Sequence, residues 1–365
     1  EHGYAIAQNN LAYCLVKGIG CAENKTEAFQ WYKKAAEHGY AIAQNNLAYC
    51  LVKGIGCAEN KTEAFQWYKK AAEHGYAIAQ NNLAYCLVKG IGCAENKAEA
   101  FQWYKKAAEQ GHAEAQYNLA DCLYNGIGCA ENKAEAFQWY KKAAEQNIAN
   151  AQNMVGRYLT EGWGDVTKNQ TEAFQWYKKA AEQGNADAQN MVGRYLTEGW
   201  GGVTKNQAEA VEWYRKAAEQ GLAISQRNLG CCLYEGSGYA VDKVEAVKWF
   251  RKAAEQGHIK AQYNLAYCLD KGIGCAENKA EAFQWYKKAA EQGHTKAQYN
   301  LAYCLVKGIG CAENKAEAFQ WYKKAAEHGY AIAQYNLAFC LYNGIGCAEN
   351  KAEAFQWYKK AAEQG

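Results

Sequence analysis

The feature that most constrains this chain is one segment, AEAFQWYKKAAEQG at residues 98–111, which recurs with small edits ten times. Its tryptophans mark the beat: Trp31, Trp67, Trp103, Trp139, Trp176, Trp213, Trp249, Trp285, Trp321 and Trp357. The step is 36 residues, except into Trp176 and Trp213, where it is 37. A fixed period of this size means stacked supersecondary units, each of which buries its apolar face only against its neighbours. Length alone, 365 residues, would suggest two or three domains; the period points instead to one continuous array over 1–365. Half the residues are apolar and 14% are aromatic, ample for a core. Net charge is +3, from 41 basic and 38 acidic residues, which gives no reason to expect nucleic acid as a partner. No apolar run approaches a membrane span, so no membrane insertion is expected.

The units are phased as 1–36, 37–72, 73–108, 109–144, 145–181, 182–218, 219–254, 255–290, 291–326 and 327–362. Both ends, Glu1-His2-Gly3 and Glu363-Gln364-Gly365, fall at the same phase and carry no polar capping element. The chain therefore reads as a segment of a longer protein or an array without its caps. The expectation is a monomer, or weak self-association through the uncapped ends. A signal peptide would lie outside this sequence, and cytoplasmic and exported locations are not distinguished.

Each unit reads as two helices. In the fourth, Ala113–Asn125 places Ala115, Gln116, Leu119, Ala120 and Leu123 on one buried stripe, and Gly126 stops the helix. A second helix starts at the N-cap Asn132, with Glu135 completing a capping box, and buries Ala136, Trp139, Tyr140, Ala143 and Ala144. Second helices close on Gly111, Gly184 or Gly221, and in unit four on Asn147, the next best residue for a left-handed conformation. Small residues at Ala120, Gly156, Gly193 and Gly230 let the partner helix approach closely, with Trp139 and Tyr140 filling the space beside.

The pattern AxAQxNLAxCLxxGxGxxxNKxEAFQWYKKAAEQG resembles the Sel-one-like repeat, a relative of the tetratricopeptide repeat, in all ten units. The departures are small packing changes, Ala for Gly at Ala12, Ala120 and Ala302 and Cys for Val at Cys21, Cys129 and Cys311. The resemblance implies an all-α, right-handed superhelical solenoid of antiparallel helix pairs, first helices on the concave side. It also implies an adaptor that holds protein complexes together. An alternative it leaves open is a secreted, cysteine-rich repeat protein that binds or hydrolyses penicillin-like, cell-wall-directed ligands.

Comparing the units with one another locates the variation. With Ala113 as the first position, differences concentrate at positions two, five, nine, twelve and thirteen of the first helix. At about 100° per residue these share one face, opposite the buried stripe. Units one to three offer Ile6, Asn9, Tyr13, Val16 and Lys17 and their copies; units eight and nine offer Lys260, Tyr263, Tyr267, Lys271, Lys296, Tyr299, Tyr303 and Lys307. Units five to seven carry Asn153, Arg157, Glu161, Asn190, Arg194, Glu198, Arg227, Tyr234 and Glu235. Tyr and Arg dominate interface hot spots, so a peptide or protein partner in the concave groove is expected to touch these residues, Tyr263, Tyr267, Tyr299 and Tyr303 included. The competing reading pairs Arg157 with Glu161 and Arg194 with Glu198 at i, i+4 as solvated helix surface. Trp163 and Trp200, where other units have Ile, either pack into the loop or stand out as anchors, and packing is favoured.

Seven units carry cysteines with six residues between: Cys14/Cys21, Cys50/Cys57, Cys86/Cys93, Cys122/Cys129, Cys268/Cys275, Cys304/Cys311 and Cys340/Cys347. Units five and six replace both at once, with Tyr158/Val166 and Tyr195/Val203, so the two positions are expected to touch. Buried free thiols, an intra-unit disulfide and a metal site are the three readings, with the metal disfavoured by spacing and the lack of adjacent His. The histidines, His38, His112 and His294 among them, lie in inter-unit turns and read as solvated helix-end residues. The Gly-x-Gly turns, such as Gly126-Ile127-Gly128, lack a preceding strand and a phosphate-binding pattern, so no cofactor is expected. Asn24, Asn60 and Asn169 lie in N-x-T sequons but are better read as helix caps. No nucleophile, base and orienter recur together, which argues against an enzyme.

Overall fold

In the computed structural model, residues 2–364 are described, with side chains from Tyr4 onward, and the regular structure among them is helical. The expectations for Glu1, the His2 side chain, Gly3 and Gly365 lie outside what is described. The chain divides into two compact units, Glu1–Gly184 and Asn185–Gly365. The first holds α1 (His2–Lys17), α2 (Lys25–Glu37), α3 (Ala41–Lys53), α4 (Lys61–Glu73), α5 (Ala77–Lys89), α6 (Lys97–Glu109), α7 (Ala113–Asn125), α8 (Lys133–Glu145), α9 (Ala149–Glu161) and α10 (Gln170–Glu182). The second holds α11 (Ala186–Glu198), α12 (Gln207–Glu219), α13 (Ala223–Glu235), α14 (Lys243–Glu255), α15 (Ile259–Lys271), α16 (Lys279–Glu291), α17 (Thr295–Lys307), α18 (Lys315–Glu327), α19 (Ala331–Asn343) and α20 (Lys351–Ala362). Each unit is a stretch of α-solenoid, five helix pairs stacked in chain order.

Helix ends follow from single residues. Gly126 takes φ 68° and ends α7 in the left-handed conformation, and Asn147 does the same after α8 at φ 65°. Asn132 caps α8: its Oδ1 accepts from the Glu135 amide at 3.1 Å. The return bond of the box comes from Asn132 Nδ2 to Glu135 Oε2, also 3.1 Å, because the Asn132 amide already donates to the Leu123 carbonyl of α7. Asn suits that place because its amide both accepts and donates, while Asp242 caps α14 through the accepting half alone, 2.8 Å from the Glu245 amide. In α6 the chain runs on: Trp103 Nε1 donates to Glu99 Oε1 at 3.3 Å, and Lys106 sits 4.1 Å above the indole. The recurring tryptophan is thus mostly a half-buried flank; Trp139 lies under Lys142 instead of filling the core, which falls to Tyr140.

The core of a pair is small residues closed by one ring. Ala115, Leu119, Ala120 and Leu123 pack with Ala136, Tyr140, Ala143 and Ala144, all buried. Each such Leu contributes roughly 2 kcal/mol by leaving water. Where Gly replaces Ala, the ring moves in: a Cβ at Gly193 would lie 2.7 Å from Tyr214, and one at Gly230 2.7 Å from Phe250.

Repeats are joined by polar bonds the sequence did not suggest. Buried Gln116 donates to the Ala108 carbonyl at the end of α6, 3.2 Å, and accepts from Gln146 at the end of α8, 2.8 Å. Where that last residue is His38, His74 or His328, the oxygens of Gln8, Gln44 and Gln298 stay buried without a hydrogen bond. Asn46 donates to Asn9 at 3.0 Å and Asn82 to Asn45 at 2.9 Å, tying α3 to α1 and α5 to α3. The second Gly of the turn allows closest approach wherever a repeat packs beneath it: a Cβ at Gly128 would lie 2.0 Å from the Lys97 carbonyl oxygen of the preceding repeat, while one at Gly20 would meet nothing.

All sixteen cysteines are free. The paired positions touch, as expected, but through a thiol on a carbonyl: Cys57 Sγ lies 3.6 Å from the Cys50 oxygen and Cys129 Sγ 3.5 Å from that of Cys122. None of the seven pairs from Cys14/Cys21 to Cys340/Cys347 forms a disulfide in this structure. Their first members are buried except for the half-buried Cys14; burial, and then the neighbouring Cys57, push Cys50 up to about 12.

Candidate functional site

The variable face of the first helices carries a row of large rings. At position nine stand Tyr13, Tyr49 and Tyr85 in the first unit and Tyr267, Tyr303 and Phe339 in the second, all between 37% and 50% exposed. The intervening repeats have Asp121, Arg157, Arg194 and Cys231 there. A half-exposed aromatic at one register is surface that a monomer has no internal reason to keep.

The arginines at position nine are not paired with the glutamates at thirteen. Among the described residues, Arg157, Arg194 and Arg227 take part in no ion pair. The Arg157 guanidinium lies 5.1 Å from the Trp163 ring, with Nη1 3.8 Å from Met154 Sδ. Arg194 repeats this in the second unit, 4.7 Å from Trp200 and 3.8 Å from Met191 Sδ. Each tryptophan is itself packed, Trp163 edge-on to Tyr158 at 5.5 Å and Trp200 to Tyr195 at 5.4 Å. The Trp, the Tyr behind it and the Met therefore build a seat for a cation in these repeats, worth about 0.5–2 kcal/mol. The competing i, i+4 pairs with Glu161 and Glu198 do not form, and both glutamates stay exposed.

Position five behaves differently, and it corrects the expected site. Asn153 and Asn190 are buried, not displayed. Asn190 Oδ1 accepts from Ser225 Oγ at 3.1 Å and Asn228 Nδ2 at 3.0 Å. At Asn190 the short side chain is covered by α13, the next first helix, whereas a long one at this position rises past its neighbour. Arg227, also at position five, does so: Nη1 donates to Asn228 Oδ1 at 3.3 Å, while Nε is buried without a partner. Tyr263 stacks on His294 at 4.6 Å and Tyr299 meets Tyr330 at 5.4 Å. Glu161, Glu198 and Glu235 are exposed at the ends of their helices, and Tyr234 is half-buried.

In the second unit these side chains line four cavities in series. The first, about 720 Å³, has Arg194, Arg227, Lys260, His258 and His294 in its wall. The second, about 470 Å³, shares Arg194 and Arg227 and adds Glu198 and Glu235. The third, about 230 Å³, shares Arg227 and Glu235 and is aromatic, with Tyr234, Tyr263 and Tyr267. The fourth, about 320 Å³, shares Tyr267 and continues over Asp270, Tyr299 and Tyr303. Arg227 joins the first three. Arg157 belongs to the first unit, where its seat on Trp163 is complete by itself.

The histidines that sequence reasoning treated as solvated helix ends fall into two sets. His38, His74 and His328 do follow second helices. His112, His258 and His294 instead cap the N-termini of α7, α15 and α17: Nδ1 accepts from Ala115, Ala261 and Ala297 at 3.1, 3.2 and 3.2 Å. Burial lowers His258 below its usual range, and the charges of Arg227 and Lys260 add to that. Burial does the same for His294, with Lys260 and Lys296. The neutral ring with Nδ1 accepting leaves Nε2–H free to donate. The signal for this role was available: each sits directly before the first helical residue, where Asn185 stands as a cap in α11.

Among the described residues no group of three or more His, Cys, Asp or Glu side chains is arranged to hold a metal ion, and no helix is long and apolar enough to cross a membrane.

Stacked helix pairs with a variable first-helix face define a repeat scaffold of the tetratricopeptide-like kind. The Sel1 repeat profile matches residues 5–40, 41–76, 77–112, 113–148, 149–185, 186–222, 223–258, 259–294, 295–330 and 331–365, a frame four residues later than the phasing above. The chain belongs to the Sel1 repeat family. It is similar to the crystal structure of a protective antigen present in uropathogenic Escherichia coli strains that displays an SLR fold, with 33% identity over 98% of this chain and 84% of that one, TM-score 0.75. It is also similar to a Sel1 repeat protein from Oxalobacter formigenes, 28% identical over 87% and 90% of the two chains, TM-score 0.59. A search of curated proteins found no match.

Proposed function

We propose that the first-helix face of Asn185–Gly365 is a docking groove for an extended segment of a partner protein, and that the chain acts as a non-catalytic adaptor. The observation that carries this reading is the series of four cavities joined through Arg227 and Tyr267, lined by Arg and Tyr side chains that make no ion pair or only partial packing. Rings held at 37–44% exposure at Tyr267 and Tyr303 present apolar area at little entropic cost, since the backbone beneath them is already ordered. The second-helix face is a poorer candidate: its tryptophans are covered by their own Glu and Lys neighbours, as at Glu99, Trp103 and Lys106.

Photo-crosslinking tests the reading. A benzophenone amino acid at position 267 or 303 is expected to capture protein in cells, and the same probe at Lys287 on the second helix is expected to capture little. Equal capture at all three positions, or capture from position 287 alone, would remove the groove.

A further inference from the structure

The first cavity has an unusual wall. Cations from three successive repeats, Arg194 of α11, Arg227 of α13 and Lys260 of α15, line one space, and no Asp or Glu lines it. Arg194 is oriented by Trp200 and Met191, so its charge is held in place without being neutralised. Arg227 has one nitrogen, Nε, buried with no acceptor, a donor left over after folding. His258 and His294 each spend Nδ1 on a helix cap and present Nε2–H as a neutral donor. Like charges that share one wall repel, and burial, with the charges of Arg227 and Lys260 at His258 and of Lys260 and Lys296 at His294 added to it, lowers the proton affinity of both rings. A fold that keeps these cations out of any ion pair gains when an anion enters the cavity they share.

The neighbouring cavities say what kind of anion. The second includes Glu198 and Glu235 and the third is walled by tyrosines, so negative charge is welcome at one end of the series only. That gradient fits a chain with acidic residues at one end and apolar ones further on.

We propose that the Arg194–Arg227–Lys260 cavity is an anion subsite that takes the side-chain carboxylates of an acidic peptide, with the peptide's apolar residues following over Tyr263 and Tyr267. This rests on the groove reading above and adds the chemistry and the direction of the occupant. Guanidinium forks on Arg194 and Arg227 suit carboxylates, and Lys260 supplies a point charge at the exposed rim.

The probe is a displayed library of random twelve-residue peptides selected on the whole chain. Binders are expected to be rich in Asp and Glu followed by apolar residues. Measured as labelled synthetic peptides, they should weaken roughly tenfold on Arg227→Gln or Lys260→Gln and several-fold between low and physiological salt. Lys260 is exposed, so its variant tests the site even where Arg227→Gln disturbs folding. Binders without acidic enrichment that are lost on Tyr267→Ala would overturn the anion subsite and leave the groove standing. Binders indifferent to all of these substitutions, or no binders, would overturn both.

Discussion

Two cavities at the same place in different repeats show how little it takes to change this surface. One, in the first unit, lies over Tyr49, Val52, Lys61 and Tyr85; its counterpart in the second lies over Tyr267, Asp270, Lys279 and Tyr303. Both share the backbone, the flanking tyrosines and the lysine. They differ at position twelve, Val52 against Asp270, and at position five of the following helix, Asn81 against Tyr299. The volume falls from about 490 Å³ to about 320 Å³, and Lys279 turns inward to Asp270 at 3.1 Å, where Lys61 faces Glu59 at 3.8 Å. One substitution puts a carboxylate where there was an apolar wall; the other puts a ring where there was an amide tied to its neighbour. The helices that carry position twelve keep the same length, 13 residues, in both places.

The comparison breaks most severely if the shared backbone contact is removed. A Cβ at Gly92 would meet the Lys61 oxygen at 2.0 Å, and one at Gly310 the Lys279 oxygen at 2.1 Å, both at positive φ. Gly92→Ala and Gly310→Ala are each expected to cost about 3 kcal/mol or more in urea melts. Gly293→Ala, whose Cβ meets nothing, is expected to cost only about 1 kcal/mol of backbone strain. Similar losses from all three would mean that the two cavities do not rest on a common support.

Asp270→Val should remove the carboxylate half of the difference between the two cavities and leave Tyr299 in place. Burial raises Asp270, but hydrogen bonds and charge from Lys271 and Lys279 outweigh it, so its affinity for a proton falls on folding. Its contribution is therefore full above the unfolded carboxyl value of roughly 3.9 and is lost as pH drops through the lower folded value. At neutral pH the substitution is expected to cost about 1 kcal/mol, discounted because Lys279 is partly in water, and the difference should close in acid. A pH-independent difference would assign the effect to shape alone.

The smallest expected effect sharpens the contrast between repeats that end in Gln and those that end in His. His74→Gln should let the new amide reach Gln44, as Gln110 reaches Gln80 at 2.7 Å, and stabilise by up to about 1 kcal/mol. Gln110→His should cost about as much. A neutral result in both directions, read from thermal melts, would show that water already serves these oxygens.

Much of the fold could be read from local chemistry. The bounds of α7, the cap at Asn132, the left-handed Asn147 and the close approach at Gly193 all follow from residues within a turn or a hairpin of each other. The face that varies was legible too, since it is a matter of helical phase. What failed was the assignment along that face. Arg227 looks like Arg157 and Arg194 in composition, but it stands four positions earlier in its helix and meets different neighbours. Asn153 and Asn190 share its register and are buried because they are short. The second Gly of the turn, the paired glutamines and the asparagine bridges were invisible for one reason: their partners lie a whole repeat away.

The sequence by itself determined the period, the helix ends and the buried stripe, because hydrogen bonds within four residues and apolar spacing act over one or two turns. The tertiary structure decided which facing positions became floor and which became rim, and that Arg194, Arg227 and Lys260 open on one space. That outcome depends on how far each hairpin is offset on the one before it, a distance set by the packing of glycines and rings between repeats and written in no single one of them.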